Sequence, residues 1–161
     1  EVPVFGGVPL DALLPGPATE LPKPSRPGPV SQSGYTVREA EGEKHLYILR
    51  MDGHTESLLG YDSGDRSVFK VGFSVSPVTR CNAHNKALPA CAFEWTIHRS
   101  TFDLGRPPFP SSRHALAGEQ AMKDALVLQG KSLGGEFFLA DEKSIERAWN
   151  AGIHAAENWK K

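Results

Sequence analysis

Val68-Phe69-Lys70-Val71-Gly72-Phe73-Ser74 decides the reading of this chain. It is the centre of a strand-forming run from Arg66 to Ser74, with a lysine in its middle. A lysine inside an apolar strand needs either a partner or a solvent-facing side. Upstream, His45-Leu46-Tyr47-Ile48-Leu49-Arg50-Met51 is a second run of strand formers. Asp52-Gly53 and Asp62-Ser63-Gly64-Asp65 lie between the two and supply turn chemistry, so an antiparallel pair with a long connection is expected. Downstream, Ser76 is placed to cap a helix and Pro77 suits its first position; the helix runs to about Ala87 and stops before Pro89. Arg80 and His84 are four apart on it and therefore neighbours. A strand ending in glycine, a short turn and a helix carrying Arg and His is an arrangement suited to handling phosphate.

The remaining elements follow from periodicity. Cys91 to His98 alternates, with Phe93, Trp95 and Ile97 on one face, and reads as a third strand. Thr101 to Pro110 is an irregular loop punctuated by Gly105, Pro107, Pro108 and Pro110. A helix is expected from about Ser112 to Leu128, with Leu116, Ala117, Gln120, Ala121 and Ala125 at helical spacing and Gly130 past its end. Glu136-Phe137-Phe138-Leu139 is a short strand, and Asp141 caps a last helix whose apolar face is Ile145, Ala148, Trp149 and Ile153. The order β-β-α-β-α-β-α predicts an α+β fold: a small, mostly antiparallel sheet of three main strands plus a short one, flanked by helices.

The chain has 161 residues, which favours one folded domain. Eight of its thirteen prolines fall in residues 1–33, where regular helix or central strand cannot persist. That stretch reads as a proline-rich linker or arm, extended or polyproline-like, ahead of a domain over residues 34–161. The first residue, Glu1 rather than Met, suggests a processed or excised fragment. No apolar run approaches the roughly 20 residues that cross a bilayer, and no membrane association is expected. Cys81 and Cys91 read as reduced, small and partly buried; a bridge between them would need an oxidising compartment.

The formal net charge of −1 hides an uneven distribution. Residues 1–65 carry five Lys/Arg against ten Asp/Glu, residues 66–123 carry eight against three, and residues 124–161 carry five against six. The middle third is the basic part and also holds His84, His98 and His114. It reads either as a polyanion-binding region or as an ordinary solvated surface.

The order of these features resembles the GIY-YIG nuclease superfamily, in particular its phage-derived branch with a K-I-G-like second signature. The first signature falls on His45-Leu46-Tyr47 and the second on Lys70-Val71-Gly72. His45 stands where the family has its first glycine, and Lys70 stands in place of the second tyrosine. Arg80 matches the family's helix arginine, with His84 one turn on, and Glu119 in Gly118-Glu119-Gln120-Ala121 matches its metal-binding glutamate. The Gly-Glu-Phe-Phe strand beginning at Gly135 is similar as well. The resemblance covers about residues 44–140.

It implies a metal-dependent endonuclease hydrolysing DNA phosphodiester bonds, with Tyr47, Lys70, Arg80, His84 and Glu119 as catalytic residues. Glu119 is the implied ligand for one Mg²⁺ or Mn²⁺ ion, waters and substrate completing its shell. Arg80 offers a planar, always-charged fork for phosphate oxygens. Tyr47 is the candidate general base; Lys70 and Arg80 are expected to lower the pKa of its phenol by their charge. Gly72 lets the backbone approach substrate or turn sharply after the strand, and Gly72, Lys86, His98 and Arg113 are candidate nucleic-acid contacts. His114 and Glu136 read first as structural polar groups, with nucleic-acid contact or support of the site residues as the alternative. Without the resemblance, Glu119 reads as an exposed helix carboxylate or the partner of Lys123 at i+4. The companion expectation is the catalytic module of a larger protein, such as a delivered antibacterial toxin. Such a toxin acts in the cytoplasm of a target cell and is matched by a cognate inhibitor (immunity) protein in the producer. A non-cleaving DNA-binding module of the same fold is the alternative.

Overall fold

A computed structural model describes residues 41–89 and 93–161 of the chain. The elements are β1 (His45–Gly53), α1 (Thr55–Leu59), β2 (Ser67–Ser74), α2 (Pro77–Lys86), β3 (Phe93–Ser100), α3 (Ser112–Gln129), β4 (Lys131–Gly134), β5 (Phe137–Ala140) and α4 (Glu142–Glu157). The strands form one antiparallel sheet in the order β3-β1-β2-β5-β4, so the fold is α+β as expected. Two elements were not anticipated. The short helix α1 sits in the connection between β1 and β2, and β4 forms a hairpin with β5 through Gly134 and Gly135, both at positive φ. The proline-rich arm and Cys91 lie outside the described residues; Cys81 is buried and carries no disulfide.

Alternation along the strands sorts the core onto two faces. Leu46 and Ile48 of β1, Phe69 and Val71 of β2, and Phe138 and Ala140 of β5 face α3 and α4, packing with Met122, Leu126, Ile145, Ala148, Trp149 and Ile153. Tyr47, Leu49, Met51, Val68, Trp95 and Leu139 point the other way, where Cys81 of α2 joins them. The apolar face foreseen for α4 is therefore the buried one. That of α3 is turned: the buried residues are Ala115, Gly118, Glu119, Met122 and Leu126, while Leu116 is exposed. The rotation brings Glu119 to the protein side of its helix.

The helix starts follow their capping chemistry. Ser76 accepts from the Thr79 amide at 3.3 Å and is followed by Pro77, Ser111 accepts from the His114 amide, and Asp141 accepts from the Ser144 amide at 2.8 Å. β1 and β2 pair from His45 opposite Ser74 to Arg50 opposite Phe69, which sets Tyr47 directly across from Gly72 and Leu49 across from Lys70. On its other side β2 pairs with β5 only from Ser67 to Lys70, one further bond running from the Val71 amide to the Glu136 carbonyl. Among the described residues, no strand covers that side of Gly72–Ser74.

Candidate active site

Tyr47, Lys70 and Gly72 share the sheet face that carries α2, by strand parity. Gly72 is where the tyrosine ring lies: a Cβ built there would stand 2.5 Å from Tyr47 Oη and 2.7 Å from its Cζ. The strand continues two residues beyond Gly72, whose φ is not among the positive ones. The expected sharp turn is absent; the glycine is required for the ring, not for the path of the chain.

Lys70 is 6% exposed, and its ammonium donates to Oε2 of Glu136, the residue just before β5, while lying 5.0 Å from the Phe137 ring centre. Glu119 arrives from α3, and Lys123, one turn along, reaches Glu119 Oε1 at 2.6 Å and Glu136 Oε1 at 3.9 Å. The i+4 ion pair foreseen for Glu119 is thus present, but it is drawn into the cluster around Lys70. The uncovered end of β2 explains how a residue on α3 comes within electrostatic range of groups on the opposite face. Of the two readings open for Glu136, structural or supporting the site, its place between Lys70 and Lys123 favours the second.

The charges act on one another accordingly. Burial, then the Glu136 and Glu119 carboxylates, push the Tyr47 phenol well above its usual range. This reverses the expected lowering: burial of the phenol is the main cause, the two carboxylates add to it, and the Lys70 ammonium is paired with Glu136. Burial raises the Glu119 carboxyl, against the pull of Lys123 and Lys70. His84 is held below its ordinary value by burial first, then by Lys70 and Arg80. Its Nε2 is buried with no hydrogen-bond partner among the described residues. Arg80, half-buried in α2, belongs to the same set through His84.

The other expected contacts separate from this cluster. His98 faces the opposite side of the sheet, its ring 5.2 Å from that of Phe69 and its Nε2 2.9 Å from Glu142 Oε1. It is a packing and hydrogen-bonding residue of the α4 side, not part of the site. Lys86 and Arg113 are exposed, in the last turn of α2 and the first turn of α3. His114 packs its ring 4.9 Å from Trp159.

Among the described residues, no three His, Cys, Asp or Glu side chains surround a common point as a preformed metal cage. The donor set still fits a hard divalent cation. Glu119 is a buried carboxylate already occupied by a cation, the Lys123 ammonium, with the Glu136 carboxylate on that ammonium's other side. Two carboxylates at most, with water and phosphate filling the rest, is the coordination that Mg²⁺ accepts. Comparison with protein-family models, with curated proteins and with solved structures gave no match to this chain.

Proposed function

We propose that the chain is a metal-dependent endonuclease of the GIY-YIG type acting on DNA. The observation that supports this best is convergence. Tyr47 of β1, Lys70 and Gly72 of β2, Arg80 and His84 of α2 and Glu119 of α3 are distant in sequence, yet they are linked by contact or by mutual electrostatic influence. Hydrolysis forms a bond from a water oxygen to phosphorus, breaks the bond to the departing sugar oxygen, and moves one proton off the water and one onto the leaving group. Lys70 and Arg80 supply positive charge to phosphate oxygens.

The acid–base roles follow from the electrostatics. A phenol with raised pKa stays protonated, so Tyr47 donates a hydrogen bond to a phosphate oxygen or the attacking water. The His84 imidazole, held below its ordinary pKa, is largely neutral at neutral pH, and its Nε2, buried and without a hydrogen-bond partner among the described residues, is the acceptor proposed for the proton. A divalent cation held by Glu119 supplies charge neutralisation at the phosphate.

The test is nicking of supercoiled plasmid in Mg²⁺ or Mn²⁺. Wild type is expected to nick and EDTA to stop it; Glu119→Gln and Arg80→Ala should lose on the order of 100-fold in rate, the scale of a lost transition-state contact. Lys160→Ala, at an exposed position, should be unchanged. Salt-sensitive binding without nicking would instead identify a DNA-binding module of this architecture.

A further inference from the structure

Four side chains of the site alternate in sign: Glu119, Lys123, Glu136, Lys70. The two ends are anchored and buried, Glu119 on α3 with 9% of its side chain exposed and Lys70 on β2 with 8%. The two middle groups are more open, Lys123 at 23% and Glu136 at 41%. Each middle group has two partners of opposite charge. Lys123 is committed to Glu119 at 2.6 Å but has Glu136 at 3.9 Å, and Glu136 is committed to Lys70. Lys123 therefore occupies the carboxylate proposed to ligate the metal, and Glu136 occupies the ammonium proposed to meet the phosphate.

We propose that Lys123 and Glu136 are positioning residues that hand charge along this row, coupling cation loading at Glu119 to release of Lys70 for the substrate phosphate. The inference rests on the nuclease reading above. A divalent cation on Glu119 repels the ammonium beside it; Lys123 has a second carboxylate within reach and shifts to Glu136. Glu136, its charge answered by Lys123, loosens Lys70. The sequence runs equally in reverse: a phosphate that draws Lys70 away leaves Glu136 for Lys123, and Glu119 is freed. Metal and nucleic acid then strengthen each other's binding by the same factor.

The experiment is titration of Mn²⁺, followed by electron paramagnetic resonance, into the protein alone and into its complex with a cleavage-resistant phosphorothioate duplex. The duplex is expected to tighten Mn²⁺ binding by about 10-fold in wild type, within the usual range of coupling between sites. Lys123→Met should bind Mn²⁺ more tightly than wild type without the duplex. Glu136→Gln, whose side chain is the more exposed of the two and whose folding is the less at risk, should lose the enhancement. Unchanged or weaker Mn²⁺ binding in Lys123→Met, or full enhancement in Glu136→Gln, overturns the hand-over. If those results come with a wild type that binds Mn²⁺ through Glu119 and nicks plasmid, the nuclease reading stands without it. A wild type that binds neither Mn²⁺ nor duplex overturns both.

Discussion

The contact between Tyr47 and Gly72 rests on a single missing methyl group. Gly72→Ala places a Cβ inside the tyrosine ring's space, 2.5 Å from Oη, so the ring or strand must shift. The expected cost is about 1–3 kcal/mol, the range for overpacking a core, measured by urea unfolding. The cost should shrink markedly in a Tyr47→Ala background, because the clash partner is gone. His84 lends itself to a pH measurement. Burial first, then the facing cations Lys70 and Arg80, hold its folded pKa below the ordinary 6.5, against the opposing pull of the Glu136 carboxylate. A group with a lowered folded value contributes stability above its unfolded value and loses it as pH falls through the folded one. Wild type should therefore lose melting temperature on acidification below about 6.5, and His84→Gln should lose less. An identical acid slope in the two proteins would count against a buried neutral imidazole.

Among the elements, the contact between α3 and α4 decides where Glu119 stands. Gly118 and Gly152 meet across it: a Cβ on Gly118 would lie 2.8 Å from the Gly152 carbonyl oxygen and 2.7 Å from Leu46 Cδ1. Alanine is the better helix former by about 1 kcal/mol. Even so, Gly118→Ala is expected to destabilise by about 1–3 kcal/mol, because a carbonyl on a packed helix has little room to yield. Thermal unfolding checks the sign. This contact also shows why the α3 face was misread. Leu116, Ala117 and Ala121 look apolar at helical spacing, but a residue with no side chain marks the closest approach, and Gly118 shifts the buried stripe to Ala115, Glu119, Met122 and Leu126. Apolar periodicity alone does not register a glycine as core. α4, with bulky Ile145, Trp149 and Ile153 on one side, was legible for the converse reason. α1 is only Thr55–Leu59 and β4 only Lys131–Gly134, with no buried residue in either, so neither leaves an apolar pattern.

Over the whole molecule, the basic middle third does not present its full charge outward. Four of its eight cations are matched with carboxylates of the C-terminal third: Lys70 and Lys123 with Glu136, Arg99 with Glu142 and Arg106 with Glu157. A charge count along the chain cannot foresee this, since the pairing depends on β5 and α4 returning to the sheet. The placement of Tyr47, Lys70, Arg80, His84 and Glu119 on their elements was readable because strand formers mark β1 and β2 and helix starts mark α2 and α3. Glu136 was not, because its importance comes from two lysines 66 and 13 residues earlier. Among the described residues no helix is long and apolar enough to cross a membrane.

β5 is only four residues long, and among the described residues it leaves Gly72, Phe73 and Ser74 without a strand neighbour on one side. Bare strand backbone of this kind invites a stranger's strand to dock and begin aggregation. Here the gap opens beside ions: Glu136, whose carbonyl takes the last amide bond from Val71, holds its carboxylate to Lys70 and near Lys123, and an intruding peptide would have to strip water from the more open pair, Glu136 and Lys123. On the nuclease proposal, a sugar–phosphate chain would bring charge of its own to meet these ions, which an apolar strand cannot do.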